Sequence, residues 1–277
     1  EEVAAHIGSE HHTFKLGREE LADGYVRLLH ALDEPFADSS ALPSFILCER
    51  TRRQVTVALS GDGADEVFGG YPKHQAELRW RQPGAAERAV ALLAPLWSAL
   101  PRSRNSAWQN RIRQLDRFAR MAGQSGEERF LHLAAFTPVE EAMALVATPA
   151  HAGGLARRNA VLAAPLGVLQ GLNGVLLADV ASTLPNDMLH KVDLTSMAHG
   201  LEVRPPFLDR RVVELAFALP PDLKLRKGSG KHILRQTFGH LLPPVVMQRS
   251  KKGFEVPLRD LLLGPLAPLV DEVLHPD

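Results

Sequence analysis

A short β-branched segment that runs into a glycine turn constrains the fold of this chain more than any other feature. Residues 55–59 read VTVAL and are followed at once by SGDG. Such a run is typical of a buried parallel strand that delivers the chain into a tight turn. A helix is predicted just before it, at about residues 42–53, and the order of helix, strand and glycine loop indicates α/β architecture.

Long stretches on both sides of this strand are predicted to be helical. Apolar residues at helical spacing predict a helix at residues 18–32. Residues 75–171 are rich in alanine, leucine and arginine and contain no β-branched run, so we expect several helices there. The predicted architecture is a small sheet remnant beneath a large helical layer.

Among the helices predicted in the last third of the chain, two carry charged residues that match the candidate site or its surroundings. One begins near residues 186–187, where a polar side chain can cap it, and runs to about His199. Ser229 can cap the other, on which Lys231 and Arg235 would share one face because they are four residues apart.

Composition and charge exclude several classes of function. The 32 basic and 32 acidic residues cancel, so no overall charge attracts nucleic acid or an anionic membrane surface, and any phosphate recognition must be local. The longest apolar run, at residues 89–101, is interrupted by Pro95 and is shorter than the roughly 20 residues of a membrane-spanning helix. We therefore expect no nucleic-acid partner and no membrane partner.

Cysteine and histidine usage also excludes several kinds of site. The single cysteine, Cys48, excludes an internal disulfide and suits a reducing cytoplasm, and we interpret it as a buried small hydrophobic residue. The twelve histidines show no zinc-ligand spacing.

The N-terminus carries no starting Met and resembles the middle of a helix, so we expect the chain to be a piece of something longer.

The segment SGDGADEVFGGY that follows the strand has the chemistry of a nucleotide-phosphate site. A glycine loop at the carboxyl end of a strand is where open α/β sheets bind ligands. Gly61 and Gly63 allow backbone amides to approach a nucleotide closely, and Asp62, Asp65 and Glu66 supply oxygen ligands suited to Mg²⁺. An ordinary acidic turn with solvated carboxylates has the same residues, so the loop alone leaves both interpretations open.

The same segment resembles the second nucleotide loop of the glutamine-dependent asparagine synthetase family, whose pattern is SG, then Glu or Asp, G, a small residue, DE and FGGY. Further matches follow in order: DEPFADSS at 33–40, LPNDMLHKVD at 184–193, SMAHGLEVR at 196–204, PFLD at 206–209, KHILR at 231–235 and KGF at 252–254. The chain resembles a truncated C-terminal synthetase domain of that family, with a sheet and nucleotide-loop part at 1–75 and helical parts at 76–175 and 176–277.

The resemblance implies a fold, a reaction and partners. The fold would be a partial ATP-pyrophosphatase-like (adenine nucleotide α-hydrolase-like) parallel sheet with a large, mostly helical remainder. In that family ATP adenylates the side-chain carboxylate of aspartate, pyrophosphate leaves, and ammonia displaces AMP to give asparagine. The implied cofactors are ATP and Mg²⁺, and the implied partners are aspartate and ammonia from a glutaminase domain outside this chain. The resemblance also implies a cytoplasmic location. A homodimer is one assembly that it implies for the full-length protein.

The resemblance assigns roles to the loop residues. Ser60, Gly61 and Gly63 match backbone contacts to ATP. Asp62 matches the position that is tied to forming and using the aspartyl-adenylate, where a carboxylate could also accept a proton from attacking ammonia. Asp65 matches a magnesium-linked aspartate.

Three other residues receive roles in the same way. Glu66 is interpreted as a second metal ligand or as a residue that orients its neighbours. Lys231 corresponds to the family's catalytic lysine that contacts pyrophosphate, and Arg235 would contact pyrophosphate beside it. Lys191, within another matching segment, is interpreted as a structural charge.

Several departures limit what the resemblance implies. The family's first phosphate loop, SGG, any residue, DS, does not occur in this sequence, so we expect the isolated chain to be inactive and to bind magnesium-ATP weakly. Leu194 stands where the family commonly has Arg or Lys, and Pro205 replaces a common Val or Ala. The alternatives are therefore a related acyl-adenylate-forming amidotransferase or a β-lactam-type synthetase with a different acceptor, and a non-catalytic scaffold.

Overall fold

A computed structural model describes residues 1–102, 106–135, 137, 139–145, 152–226, 228–248 and 256–274. The matching segment KGF lies outside these residues. The chain forms two compact units. The first unit is Glu1–Asp62, Pro185–Asp209 and Ile233–Asp277, and the second unit is Gly63–Leu184 and Arg210–His232.

Helices make up most of the described chain. The elements as far as the first strand are α1 (Glu2–Ile7), α2 (Arg18–Ala31), α3 (Ala41–Arg52) and β1 (Val57–Leu59). The helices that follow β1 are α4 (Ala64–Phe68), α5 (Pro72–Arg81), α6 (Ala85–Leu92), α7 (Ala94–Ala99), α8 (Ala107–Ala119), α9 (Gly126–Ala134), α10 (Val139–Ala144), α11 (Ala152–Ala163), α12 (Leu172–Ala181) and α13 (His190–Met197), with a 3-10 turn at Ala164–Gly167 and a π-helical stretch at Leu184–Leu189.

The last elements begin with the second strand. They are β2 (Glu202–Arg204), α14 (Arg210–Ala218), α15 (Pro221–Lys224), α16 (His232–Phe238), α17 (Pro244–Gln248), α18 (Leu258–Leu262) and α19 (Ala267–Leu274), with 3-10 turns at Pro206–Leu208 and Gly239–Leu241. The helices predicted at 18–32 and 42–53 are confirmed as α2 and α3. Among the described residues, no helix is both long and apolar enough to cross a bilayer.

The sheet of the first unit consists of two parallel strands. β1 and β2 pair with Ala58 opposite Val203, and the backbone N–H of Ser60 extends the ladder by donating to the Arg204 carbonyl at 3.0 Å. This arrangement confirms the predicted α/β class with a small parallel sheet and a mostly helical remainder.

The prediction that this strand is buried is wrong. Leu59 is 74% exposed and Val57 is 39% exposed. Within the described residues β2 is the only strand that pairs with β1, so one edge of β1 stays open. The alternating apolar side chains therefore lack the cover that a larger sheet with helices on both faces would provide.

The core of the first unit lies between α2 and α3. Leu28, Leu42 and Ile46 are almost fully buried there. Gly24 lets the two helices approach closely, because a Cβ atom at this position would lie 2.8 Å from the Ile46 Cδ1 atom. The prediction for Cys48 is confirmed, since it is a buried thiol whose pKa is raised by burial.

Lys191 links α13 to the segment before α3. Its ammonium donates to Asp38 Oδ2 at 2.7 Å and to Ser40 Oγ at 2.9 Å. Burial alone would raise the pKa of Asp38, but the hydrogen bonds from Lys191 and Ser40 outweigh it and lower that pKa. These contacts agree with a structural role for Lys191 within the first unit.

The core of the second unit is built around α12. Its apolar face buries Leu172 and Leu176 against Leu225, and Val175 and Ala178 against Phe130. α12 also packs against α4 and α5, the two helices on either side of the Gly69-Gly70 turn. α12 therefore supports α4, which carries Asp65 and Glu66 of the loop, and α5, which follows the turn.

Candidate functional site

The predicted site residues occur in both compact units. The first unit contains Ser60, Gly61, Asp62 and Arg235. The second unit contains Gly63, Asp65, Glu66 and Lys231.

Ser60 and Asp62 line one cavity in the first unit. The cavity has a volume of about 270 Å³, and the rest of its wall comes from α13, which contributes Asp193, from β2, and from Leu189 and Pro205 next to these elements. Ser60 Oγ is buried and has no hydrogen-bond partner within the described part of the chain, and a Cβ atom on Gly61 would meet no atom within 4 Å. The loop at the carboxyl end of β1 therefore borders open space that a ligand could enter.

A larger concavity lies at the other end of β1. Its volume is about 410 Å³, and it is lined by residues 52–57. None of the predicted site residues lines it, so its size alone gives it no role in the proposed chemistry.

Asp65 and Lys231, far apart in sequence, meet in the second unit. Lys231 Nζ lies 3.1 Å from Asp65 Oδ1. The two side chains are 31% and 21% exposed, with Lys231 the more exposed, but the Asp65 Oδ1 atom that faces Lys231 is itself buried. The structure thus brings together the acidic residue and the lysine on which the sequence-based hypothesis depends.

Backbone contacts hold Lys231 against the loop. Its N–H donates to the Phe68 carbonyl at 3.1 Å, and a Cβ atom on Gly230 would lie 2.4 Å from the Gly69 carbonyl oxygen. Only a glycine at position 230 allows the two backbones to approach this closely.

The prediction that Lys231 lies on a helix and shares a face with Arg235 is wrong. α16 begins at His232, and Lys231 has φ 52°, the only positive φ of a non-glycine residue in the described chain. A residue in the left-handed region cannot continue a right-handed helix, and such strain persists only where surrounding contacts enforce it. Arg235 instead donates to the Met247 carbonyl and ties α16 to α17.

Gly70 lies directly beneath the Asp65–Lys231 pair. A Cβ atom at this position would fall 1.7 Å from Asp65 Oδ1 and 2.6 Å from Lys231 Cε. The Gly70 N–H also donates to the Asp65 carbonyl at 2.8 Å. Sequence reasoning assigned no role to Gly70, although the paired glycines of FGGY were a signal of close backbone approach.

Glu66 is enclosed rather than presented to solvent. It is 1% exposed, and the Tyr71 hydroxyl donates to its Oε1 atom at 2.5 Å. Burial raises the pKa of Glu66, and burial together with the Glu66 charge raises the pKa of Tyr71. This environment favours the orienting role for Glu66 over the metal-ligand role.

Sequence reasoning missed a buried charged cluster beside the loop. Asp179 on α12 lies 2.6 Å from His74 Nε2 and accepts a hydrogen bond from Lys73 Nζ at 2.6 Å. His74 and Asp179 are fully buried. Burial alone would raise the pKa of Asp179, but the His74 hydrogen bond and the Lys73 charge outweigh it and lower that pKa. An aspartate inside the apolar run LNGVLLADVA was the available signal.

A buried lysine, Lys224, lies next to the Gly69-Gly70 turn. Lys224 is fully buried, its ammonium donates to Asn173 Oδ1 at 2.8 Å, and its Cβ packs near Gly69. No carboxylate among the described residues pairs with it, and burial lowers the pKa of Lys224 to about 8. The position of this lysine in an apolar setting gave no signal in the sequence.

The donor set fits a metal that arrives with phosphate oxygens. No group of three or more His, Cys, Asp or Glu side chains within the described residues could hold a metal ion. Mg²⁺ is commonly bound by one or two protein carboxylates together with substrate phosphates. Asp65 is a carboxylate of this kind, with a side chain that is 21% exposed.

These features define an α/β protein with an acidic glycine loop after a parallel strand and a lysine held against that loop. The chain belongs to the asparagine synthase family, whose model matches residues 1–277. This finding confirms the resemblance drawn from the motifs.

Known relatives are similar over most of the chain. The glutamine-hydrolysing asparagine synthetase 1 of Bacillus subtilis strain 168 is 27% identical over 282 residues, which cover 99% of this chain and 42% of that protein. A putative glutamine-hydrolysing asparagine synthetase of Mycobacterium tuberculosis H37Rv is 29% identical over 261 residues, which cover 92% of this chain and 38% of that protein. The chain thus spans about two fifths of the length of these relatives.

A mammalian relative matches a shorter part. The glutamine-hydrolysing asparagine synthetase of Mus musculus is 46% identical over 67 residues, which cover 23% of this chain. The similarity to this protein is higher than to the bacterial relatives but is confined to one segment.

Proposed function

We propose that this chain is the part of an asparagine synthetase that activates a carboxylate with ATP for amide formation. The observation that carries the proposal is the Asp65–Lys231 contact of 3.1 Å, made where the acidic glycine loop continues into α4. Family membership and the names of the relatives support the same activity.

The proposed chemistry has two steps. A carboxylate oxygen of aspartate attacks the α-phosphorus of ATP, the bond from that phosphorus to the bridging oxygen breaks, and pyrophosphate leaves. Ammonia then attacks the acyl carbon, AMP departs with the bonding electrons, and a base takes the proton from the amine. The products are asparagine, AMP and pyrophosphate, on an ATP-pyrophosphatase-like fold.

Each predicted residue has a role in these steps. Ser60, Gly61 and Gly63 would contact ATP through the loop backbone, and Asp62 would take the proton of the attacking amine. Lys231 would stabilise the charge that develops on pyrophosphate, with greater effect in the transition state than in the ground state.

Two further residues have proposed roles. Asp65 would hold Mg²⁺, which would neutralise part of the phosphate charge when bound. Arg235 would also contact pyrophosphate, in addition to its contact with the Met247 carbonyl. Ammonia would come from glutamine hydrolysis elsewhere in the full-length protein, for which a cytoplasmic location and a homodimer are further proposals.

The experiment measures aspartate-dependent pyrophosphate release by the full-length protein that contains this chain. We expect Asp65→Ala to abolish release and Lys231→Ala to lower it by at least about 100-fold, a typical effect of removing one electrostatic donor. Lys15→Ala is the control, because Lys15 is an exposed lysine of the first unit. Wild-type rates in both site variants would refute the proposal.

A different acceptor carboxylate is the second candidate. Pro205, which replaces a common Val or Ala, lines the same cavity as Ser60 and Asp62, so the cavity wall differs from the usual family pattern. AMP formation by the full-length protein should be measured across a panel of carboxylic acids. A clear preference for an acid other than aspartate would establish this candidate.

A further inference from the structure

We infer that His74 is a positioning residue for the proposed reaction and that it acts as a neutral imidazole with its proton on Nε2. It fixes the peptide between Gly70 and Tyr71. Through this peptide it sets the space that the Asp65–Lys231 pair occupies. The inference rests on the proposed function for the reaction that this pair serves, and all of these residues belong to the second unit.

The two ring nitrogens of His74 have partners of opposite kinds. The backbone N–H of Tyr71 donates to Nδ1 at 3.4 Å, so Nδ1 is an acceptor and carries no proton. Nε2 lies 2.6 Å from Asp179 Oδ2 and is the donor, because a neutral imidazole has one donor nitrogen and one acceptor nitrogen. His74 and Asp179 are both fully buried, so water does not replace these contacts. The geometry therefore selects one tautomer.

Asp179 is an acceptor for every partner that surrounds it. Its Oδ1 atom accepts from the Lys73 ammonium at 2.6 Å and from the Thr183 hydroxyl at 3.1 Å, and its Oδ2 atom faces His74. An ionised carboxylate accepts hydrogen bonds and has none to donate, so the proton between Asp179 and His74 lies on Nε2. The hydrogen bond at one ring nitrogen thus decides that the other nitrogen stays free to accept.

The hydrogen bond to His74 fixes the backbone on one side of Gly70. The N–H that His74 accepts belongs to the peptide between Gly70 and Tyr71, so its direction sets the plane of that peptide. On the other side, the N–H of Gly70 itself donates to the Asp65 carbonyl at 2.8 Å. The Tyr71 hydroxyl adds a third contact, because it donates to Glu66 Oε1 at 2.5 Å. Gly70 is therefore held from both of its neighbouring peptides.

The position of Gly70 decides whether Asp65 and Lys231 can meet. A Cβ atom at position 70 would fall 1.7 Å from Asp65 Oδ1 and 2.6 Å from Lys231 Cε, so both side chains pack directly against the Gly70 backbone. Rotation of the peptide that follows Gly70 would move the backbone atoms that border this space. A misplacement of about 1 Å near reacting groups can lower a rate about 100-fold. His74 can therefore affect the proposed reaction without touching the substrate.

The first measurement determines the tautomer and needs no activity. Nitrogen NMR of this chain, labelled with ¹⁵N at its histidines, shows the two ring nitrogens of His74, which are assigned by their loss in a His74 variant. Near neutral pH we expect a pyrrole-type shift for Nε2, which carries the proton, and a pyridine-type shift for Nδ1. A proton on Nδ1, in the other tautomer or in the imidazolium, would overturn the inference.

The second measurement separates the two contacts of His74. His74→Asn places an amide oxygen where Nδ1 lies and keeps an acceptor for the Tyr71 N–H. His74→Gln places an amide nitrogen near Nε2 and keeps only the contact with Asp179. In pyrophosphate release by the full-length protein, we expect His74→Gln to lower kcat by at least about tenfold and to change the KM for ATP by less than about twofold. His74→Asn should keep kcat within about threefold of wild type.

A control variant and two outcomes complete the test. His30→Gln makes the same substitution at an exposed position of α2 and should leave kcat unchanged. Equal kcat values in His74→Asn and His74→Gln, or a lower value in His74→Asn, would overturn the positioning role. Should either variant fail to fold by circular dichroism, the tautomer of the wild-type chain still decides the inference. Failure of the proposed function is separate, since it would appear as unchanged pyrophosphate release in Asp65→Ala and Lys231→Ala.

Discussion

Gly70 determines how closely two charged side chains approach each other in the second unit. Asp65 Oδ1 and Lys231 Cε both occupy the space that a Cβ atom on residue 70 would need. The next glycine before it, Gly69, has φ 71°, a left-handed conformation that favours glycine. The two glycines therefore serve different purposes, one conformational and one steric.

We expect Gly70→Ala to displace Lys231 from Asp65. Overpacking at a tight site costs about 1–3 kcal/mol of stability, and pyrophosphate release by the full-length protein should fall by at least about tenfold through loss of electrostatic stabilisation. Gly154→Ala is the matched control, because Gly154 is helical and its Cβ would meet no atom within 4 Å. Wild-type activity in Gly70→Ala would show that the Asp65–Lys231 geometry is not needed.

At the scale of secondary structure, α12 holds α4 and α5 in place. α4 and α5 are joined by the short Gly69-Gly70 turn, and α12 packs on both. Asp179 on α12 contacts both Lys73 and His74 in the first turn of α5. The direction of α5, and with it the position of the turn, depends on this buried charge.

We expect Asp179→Asn to lower the free energy of unfolding by about 3–5 kcal/mol, because it removes the anion from a buried charged cluster. Asp222→Asn, on the exposed face of α15, should change it by less than about 0.5 kcal/mol. Urea unfolding followed by far-ultraviolet circular dichroism measures both. Equal midpoints in the two variants would contradict a stabilising role for the cluster.

At the scale of the whole molecule, both compact units contain carboxylates whose pKa is lowered by folding. Asp38 lies in the first unit and Asp179 in the second, and the pKa of each is lowered by a lysine or histidine partner. Their contribution to stability is present above the pKa of an unfolded aspartate, about 3.9, and is lost as the pH falls through their lower folded values. The contribution of Glu66 to stability changes with pH in the opposite direction, because burial raises its pKa.

We therefore expect the urea midpoint to decrease as the pH is lowered below about 4, where the unfolded aspartates take up protons. Asp38→Asn should flatten this decrease, because a group that cannot titrate contributes no slope. Midpoints are the suitable measure, since a chain with two compact units need not unfold in a single transition. Parallel profiles for wild type and Asp38→Asn would contradict the role assigned to this residue.

Local sequence determined the order of helix, strand and glycine loop in the first part of the chain, and the family of this protein. α2, α3 and the strand that ends in SGDG follow from apolar spacing, β-branched residues and glycine, which act over a few neighbouring residues. The ordered motifs identified the family for the same reason, because they are read along the chain. Burial of Cys48 also followed from its residue type alone.

Only the tertiary structure decided which of these residues meet. The Asp65–Lys231 contact, the steric need for Gly70 and the Asp179 cluster all join segments that are distant in sequence, so no local pattern contains them. The exposure of β1 and the left-handed conformation of Lys231 likewise depend on which other segments pack nearby. At these positions long-range packing overrode local preference. The free energy of a contact depends on both of its residues, and the sequence around one residue carries no information about the other.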